Sequence, residues 1–315
     1  MNYFEFCEGL KDGSIEKNEN NFILLDRLKK IRETITKYGE ENFCMSFSGG
    51  KDSTVLSALI DMALPNNKIP RVYANTGIEY KMILDFVERE REKPHSWELV
   101  ILKPSTPIKP MLERDGYPFK SKMHSQYVRK YQAKGFDYKS VRAYTRMEDT
   151  ISGRPILRAC PKKLMYQFSD ENTLKISDFC CYNLKEQPLN NWAKEHNKPY
   201  SIIGIMREEG GRRNKAVCMH FNGKKLDTFQ PLVAITKEWE DWFIEGYNVD
   251  ICDIYKPPYN YYRTGCKGCP FALHLQEELD KLEEFFPNER KQCEIIWKPV
   301  YDEYRRLGYR LRKEE

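Results

Sequence analysis

The sequence predicts an α/β fold: a mostly parallel, twisted sheet with helices on both faces, followed by a helical C-terminal part. Three observations lead there. Short apolar runs of strand length alternate with longer stretches whose apolar residues recur at helical spacing. A Gly-Gly bend at Ser48–Ser53 joins the first such run to the helix after it. A second glycine turn, Asn75-Thr76-Gly77, closes the next run. Alternation of this kind builds parallel sheets, and ligands meet such sheets at the carboxyl ends of the strands.

Taken in order, residues 20–38 place Phe22, Leu24, Leu25, Leu28, Ile31 and Ile35 at helical spacing, with Gly39 as a C-cap. Phe43–Phe47 reads as a buried strand, and Ser53–Met62 as a helix with Val55, Leu56, Leu59 and Ile60 on its apolar face. After a turn at Pro65–Lys68 come a second strand over residues 69–75, a helix over 81–91 and a third strand over 97–102. Residues 103–158 break the alternation with Pro104, Pro107, Pro110 and Pro118, then crowd tyrosines with cations, so an insert is expected at about 104–158. Sheet character returns over 200–205, followed by Met206–Arg213. Residues 231–235 lead into a helix around Trp239, Trp242 and Phe243, and residues 275–310 read as helical and amphipathic. The expected division is an α/β domain over 1–255, carrying the insert, and a cysteine-containing helical region over 256–315 packed on it.

A chain of 315 residues can bury a full core. It is 31% charged, with a mean hydropathy of −0.72. No apolar run approaches the ~18–20 residues that span a bilayer, so no membrane partner is expected. Met1–Cys7 lacks the basic-then-apolar pattern of a secretory signal, which predicts a cytoplasmic location. In that reducing compartment ten cysteines do not make a disulfide framework, and those that cluster point to metal or redox chemistry.

The strand-to-helix junction reads Ser48-Gly49-Gly50-Lys51-Asp52-Ser53. Adjacent glycines admit positive φ and put no Cβ in a ligand's way. Successive N–H groups at such a turn cradle an anion, and the helix dipole adds positive potential. Lys51 brings a full charge, Ser48 and Ser53 bring hydroxyls, and Asp52 is suited to cap the helix or to help hold Mg²⁺. The spacing is not that of GxxxxGK[ST]. An ordinary Gly-Gly turn is the alternative, against which six matched positions count. The stretch resembles the SGGxDS loop of the PP-loop ATP pyrophosphatase superfamily. That resemblance implies a loop that holds the β,γ-pyrophosphate of ATP while a nucleophile attacks the α-phosphorus, giving an adenylated substrate and pyrophosphate.

Cys180-Cys181 and Cys266-Lys-Gly-Cys269 form two thiol pairs, enough for a tetrahedral metal site or an iron–sulfur cluster. Zinc sites usually use CxxC twice. Adjacent cysteines suit two corners of a cube better, which favours [4Fe–4S] over Zn²⁺. The alternative makes Cys180-Cys181 core filler and Cys266/Cys269 a two-sulfur fragment. Cys7, Cys44, Cys160, Cys218, Cys252 and Cys293 are scattered, and Cys44 reads as a small core hydrophobe. The loop, Asn75–Glu79, Asp178–Lys185, Gly204–Glu209 and Arg263–Phe271 occur in that order. Together they resemble the phosphoadenylyl-sulfate reductase family over roughly residues 20–286, with the CC…CxxC signature of adenylylsulfate reductases.

The resemblance implies an adenine nucleotide alpha hydrolase-like fold with ATP at the carboxyl edge of the sheet. Ser46, Ser48, Gly49, Gly50, Lys51, Asp52, Ser53, Asn75, Thr76, Gly77, Glu79, Lys185, Gly204, Arg207 and Arg212 would form that site. Lys51, Asp52 and Arg207 would carry the chemistry. Lys185, Arg207 and Arg212 would face phosphate or sulfate, and Cys180, Cys181, Cys266 and Cys269 would hold the [4Fe–4S] cluster. Two departures matter. Reductases carry a C-terminal Glu-Cys-Gly-x-His segment whose cysteine attacks sulfur, and this chain ends Arg310-Leu-Arg-Lys-Glu-Glu315. Cys293 lacks the glycine hinge and lies in a predicted helix. Reductases also tend to have degraded loops, whereas Ser48–Ser53 is intact. Both departures favour ATP cleavage.

Residues 117–146 hold eight cations against Asp137, a net +7 that leaves −2 for the rest of a chain whose total is +5. Tyr117, Tyr127, Tyr131, Tyr138 and Tyr144 are interleaved with them. Cations with aromatic faces compose a nucleic-acid surface, or a solvated helical flap over the nucleotide. His124 is expected at the surface. The expected function is a Mg²⁺-assisted, AMP- and pyrophosphate-forming ATP pyrophosphatase. It would adenylate an acceptor, with nucleic acid for phosphorothioation or thiolation as one candidate, and take sulfur from a donor such as a cysteine desulfurase. The rival expectations are an assimilatory adenylylsulfate or phosphoadenylyl-sulfate reductase, and a non-catalytic iron–sulfur nucleic-acid binder.

Overall fold

The computed structural model describes residues 1–146 and 159–313, so the last part of the predicted insert lies outside the described residues. In chain order the elements are α1 (Tyr3–Asp12), α2 (Glu19–Tyr38), β1 (Phe43–Ser46), α3 (Lys51–Ala63), β2 (Arg71–Ala74), α4 (Lys81–Glu92) and β3 (Leu99–Leu102). Then come α5 (Ile108–Asp115), α6 (Lys122–Lys134), α7 (Lys139–Tyr144), α8 (Gln187–Glu195), β4 (Tyr200–Ile202), β5 (Met219–Asn222), β6 (Lys225–Phe229), α9 (Lys237–Gly246), α10 (Leu275–Phe285) and α11 (Pro287–Leu307). No helix among the described residues is long and apolar enough to cross a membrane. The chain divides into two compact units: 1–75 with 81–103 and 187–264, and 76–80 with 104–186 and 265–315.

The first unit is built on a six-stranded sheet in the order β3-β2-β1-β4-β6-β5. All neighbours are parallel except β5 and β6, an antiparallel hairpin turning at Gly223 with φ +62°. Phe43 pairs with Tyr200 and Met45 with Arg71, so β1 lies inside the sheet, and its residues Phe43, Cys44 and Met45 are buried. On one face Cys44, Val72 and Trp192 of α8 form a cluster. Helix α2 buries Leu24, Leu28, Ile31 and Ile35, and α3 buries Val55, Leu56, Leu59 and Ile60. This helix-covered parallel arrangement is the α/β fold the sequence predicts.

The second unit is helical. Residues 275–310, expected as one helical stretch, form α10 and α11 with a break at Phe286-Pro287, where proline occupies the first turn of the new helix. Within the insert, α6 starts at an N-cap serine, Ser121, whose side chain accepts from the His124 N–H. His124 is fully buried, not superficial: its ring nitrogens meet the Tyr144 hydroxyl at 2.9 Å and Gln167 Oε1 at 2.6 Å. Burial pushes it down to about 4 and keeps it neutral. Three of the insert's tyrosines pack on other rings. Tyr127 stacks on Tyr144 at 4.4 Å, and Tyr131 and Tyr144 both contact Phe168.

Candidate functional site

In the first unit, β1 ends at Ser46 and the chain bends through Ser48-Gly49-Gly50 into α3. Gly49 has φ +67°, and a Cβ there would lie 2.8 Å from Val87 Cγ2 and 3.0 Å from Ile83 Cγ2 of α4. Both its dihedral and its neighbours therefore require glycine. The bend is tied by its own serines: Ser48 N–H donates to Ser53 Oγ at 3.2 Å, the two hydroxyls are 3.0 Å apart, and Ser53 Oγ–H donates to the Gly50 carbonyl at 2.9 Å. Gly50 caps α3 with no side-chain bond, so Asp52 is not the cap suggested by its position. The first N–H groups of α3 thus point out of the helix at the end of a parallel strand, which is the anion cradle read from the sequence.

The loop's charged partners come from α9. Asp52 Oδ1 accepts from Lys237 Nζ at 2.7 Å, and Lys51 Nζ meets Asp241 at 2.6 Å and Glu240 Oε2 at 3.6 Å. Lys237 Nζ also bonds Glu240 Oε2 at 3.0 Å. Glu240 is 0% exposed, and burial together with the charge of Asp52 raises it to about 7. Burial works against the charge of Lys237, but its bond to Asp52 and the charge of Glu240 outweigh this and raise its pKa. Tyr255 approaches from the far side of the bend, 3.4 Å from where a Gly50 Cβ would be, and pairs with Thr264. Lys237, Glu240, Asp241 and Tyr255 carry no sequence signal that marks them; each reaches the loop only through the fold.

Two other residues expected in the site, Asn75 and Gly204, follow the ends of β2 and β4. Gly204 lies two residues past β4, and a Cβ there would be 3.2 Å from the Asp52 carbonyl oxygen, so it lets β4 run against the loop's backbone. Asn75 directly follows β2, its N–H donating to the Leu102 carbonyl at 2.8 Å. Arg207 is exposed, with Nε donating to the Ala216 carbonyl at 2.8 Å. Arg212 belongs to the 3₁₀ turn Gly211–Lys215, and its side chain lies outside the described residues. Its neighbour Arg213 lies near Asp52 and Arg263, and burial with the Arg263 charge lowers its pKa.

Thr76, Gly77, Glu79 and Lys185 belong to the second unit, together with all four paired cysteines. Glu79 accepts from the Thr76 N–H at 3.0 Å and its hydroxyl at 2.6 Å, and lies 3.7 Å from Lys185 Nζ. Lys185 bonds Cys266, whose negative charge, with that of Glu79, raises the lysine's pKa. The sulfurs share one electrostatic neighbourhood. Cys181 is pulled down to about 6 by the Cys180 thiol and by Lys122 and Lys185, while Cys180 is raised by its bond to Cys181, by burial, and by the charges of Cys181, Cys269 and Cys266. Burial raises both Cys266 and Cys269. Among the described residues, no group of three or more histidine, cysteine, aspartate or glutamate side chains forms a site for a metal ion.

The CxxC turn is held by one face of α11. Trp297 Nε1–H donates to the Lys267 carbonyl at 3.1 Å, Tyr301 Oη–H to that of Gly268, and Tyr304 Oη–H to that of Pro270 at 2.8 Å. Arg310 adds a bond to the same Pro270 oxygen at 2.6 Å. Gly268 has φ +61°, and a Cβ on it would overlap the Tyr301 hydroxyl and Cys293. From the insert, Arg129 grips Asp178 at 2.7 Å and lies over Phe179, two side chains just ahead of Cys180.

The family model for the phosphoadenosine phosphosulfate reductase domain matches residues 42–153 and 156–272. No curated protein matches the chain. Solved structures similar to it include a phosphoadenylyl-sulfate reductase from Candida auris, in a phosphate complex, at 11% identity over 80% of this chain and 97% of that one, with a TM-score of 0.40. They also include an NH₃-dependent NAD synthetase from Campylobacter jejuni at 13% identity (90% and 95% covered, TM-score 0.42). A third is a U34-tRNA thiolase from Methanococcus maripaludis with its [4Fe–4S] cluster, at 16% identity (91% and 80% covered, TM-score 0.38). Since the family model spans most of the chain and includes both the loop and the CxxC turn, the chain belongs to the phosphoadenosine phosphosulfate reductase domain family.

Proposed function

We propose that this chain cleaves ATP to AMP and pyrophosphate while adenylating an acceptor for sulfur transfer. The observation that carries the reading is the intact Ser48–Ser53 loop, tied by its own serines and opening onto the N-terminus of α3. The outer phosphates of ATP would lie on the N–H groups of the loop. Lys51 would neutralise charge building on the leaving pyrophosphate, the preorganised electrostatics by which phosphoryl transfer is accelerated. Asp52 would be the loop's Mg²⁺ ligand, oriented by Lys237. Asn75, Gly204, Arg207 and Arg212 would complete the nucleotide site.

The cysteine group suits a [4Fe–4S] cluster by its donor chemistry. It has four thiols, one already acidic, two adjacent lysines to balance a cluster's negative charge, and a turn pinned by α11. Cys180, Cys181, Cys266 and Cys269 would hold it. Once bound, a fully thiolate-ligated cluster would act in electron transfer or electrostatically, with every iron corner closed. The acceptor we favour is nucleic acid, on the strength of the insert's +7 charge. Tyr127, Tyr131 and Tyr144 already pack on other rings, so contact would be chiefly through cations rather than through a stacking platform. The sulfur would come from a cytoplasmic donor such as a cysteine desulfurase.

Membership of the family supports the second reading, a sulfite-forming reductase. Incubating anaerobically purified protein with α-labelled ATP separates them. AMP with pyrophosphate supports the proposal, and its loss in Lys51→Ala places the loop in the mechanism. Sulfite released from adenylylsulfate with a thioredoxin-type donor would make the chain a reductase. Intact ATP with salt-sensitive nucleic-acid binding would make it a binder.

A further inference from the structure

We propose that Lys237 is a second phosphate-binding cation of the nucleotide site, set beside Lys51 by the buried carboxylate of Glu240. The inference rests on the nucleotide reading of the Ser48–Ser53 loop and extends it to a residue that lies in none of the recognised motifs. Lys237 stands in the first turn of α9, yet its Nζ ends 2.7 Å from Asp52, inside the loop. It shares Glu240 Oε2 with Lys51: that one oxygen is 3.0 Å from Lys237 Nζ and 3.6 Å from Lys51 Nζ. Two ammonium groups on one carboxylate oxygen lie within reach of a single polyanion.

The burial pattern separates the anchor from the groups that meet a ligand. The side chain of Glu240 is 0% exposed, whereas those of Lys237 and Lys51 are 15% and 17% exposed. The two cations thus reach solvent from a sealed carboxylate. A purely structural role for this pairing is weakly motivated. α9 is already fixed by Trp239, which is buried and bonds the Asn20 carbonyl, and by buried Phe243. A half-buried ion pair adds little net stability beyond such packing. Two lysines meeting three carboxylates at a helix N-terminus that favours anions is the composition of an exchange site, where phosphate oxygens replace the carboxylate of Asp241 on Lys51 and take a free N–H of Lys237 while its bond to Asp52 stays. Arg213, near Asp52, adds further positive charge on this side.

The test is calorimetric titration of the full chain with inorganic pyrophosphate in the absence of Mg²⁺. Wild type should bind, and Lys51→Ala should lose most of the affinity. Lys237→Met should weaken binding about tenfold or more, the expected loss of a charge-assisted contact, while Lys237→Arg should recover most of it. Melting temperatures of the variants report on folding. If Lys237→Met does not fold, Lys237→Gln, which keeps a donor for Asp52, takes its place. Wild-type affinity in a folded Lys237→Met or Lys237→Gln variant overturns the role of Lys237 while leaving the loop assignment standing. Absence of pyrophosphate binding by wild type, with Lys51→Ala indistinguishable from it, overturns the loop assignment and this inference with it.

Discussion

Glu240 offers a measurement that depends on the fold alone. Its carboxyl is sealed from solvent next to Asp52, and it titrates at about 7 in place of the ordinary 4.5. The native state therefore holds this proton more tightly than the unfolded chain does. Stability from this group is complete below pH 4.5 and is lost as pH rises to about 7, beyond which it is flat. At about 1.4 kcal/mol per pH unit the whole effect is about 3 kcal/mol, of which roughly 2.5 kcal/mol falls between pH 5 and pH 8. Glu240→Gln has no proton to lose there. The variant's stability relative to wild type should rise by that amount across the window, whatever constant offset comes from altered bonds to Lys237 and Lys51. Urea denaturation of both proteins at pH 5, 6, 7 and 8 measures it, and titrating groups that Glu240 does not touch cancel in the difference. Parallel curves would refute the reasoning, because they would mean that Lys237 and Lys51 fully offset burial and the charge of Asp52 at this carboxyl.

Three further outcomes follow from the geometry. Gly49→Ala puts a methyl group at φ +67° and 2.8 Å from Val87 Cγ2, and should cost about 2–4 kcal/mol in urea unfolding and abolish pyrophosphate binding. Tyr301→Phe leaves the Gly268 carbonyl without its donor and should cost about 1–2 kcal/mol. In anaerobically prepared protein it should also lower iron content, which full iron occupancy would disprove. Cys266→Ala should remove the brown absorbance expected of wild type, and a colourless wild type carrying zinc would replace the cluster assignment with a zinc one.

How much of this was legible depended on whether a residue's partner lies nearby in sequence. Strands β1 to β4 announced themselves because both faces are covered and their apolar runs are nearly continuous. The β5–β6 hairpin was missed because β5 is largely exposed and has no apolar run to show. Its one signal is Gly223, the first residue of the two-residue turn Gly223-Lys224. Helix α1 likewise carried an unread capping box between Asn2 and Glu5. His124 was misplaced because its neighbours within α6 are polar, while the groups that make its burial tolerable, Tyr144 and Gln167, lie 20 and 43 positions away. A histidine on a polar helix reads as solvent-facing until its partners arrive.

The two candidate sites share this division between a local motif and a distant support. The Ser48–Ser53 hydrogen bonds close within six consecutive residues, so the motif alone encodes them. The charges that set Lys51 and Asp52 come from α9, 185 to 190 positions on. In the same way CxxC is legible, but the face of α11 that fixes its carbonyls is not. Trp297, Tyr301 and Tyr304 fall at i, i+4 and i+7, the spacing of any core stripe, and their rings are indeed buried. What the spacing cannot convey is that each ring carries a donor at its tip and that three consecutive donors find the carbonyls of Lys267, Gly268 and Pro270. Phenylalanines at 301 and 304 would fill nearly the same volume, take the donor from the Gly268 carbonyl and leave Arg310 alone on that of Pro270. The tyrosines and the tryptophan thus do two jobs at once, packing a helix and holding the backbone between two thiols, and only the second bears on the chemistry.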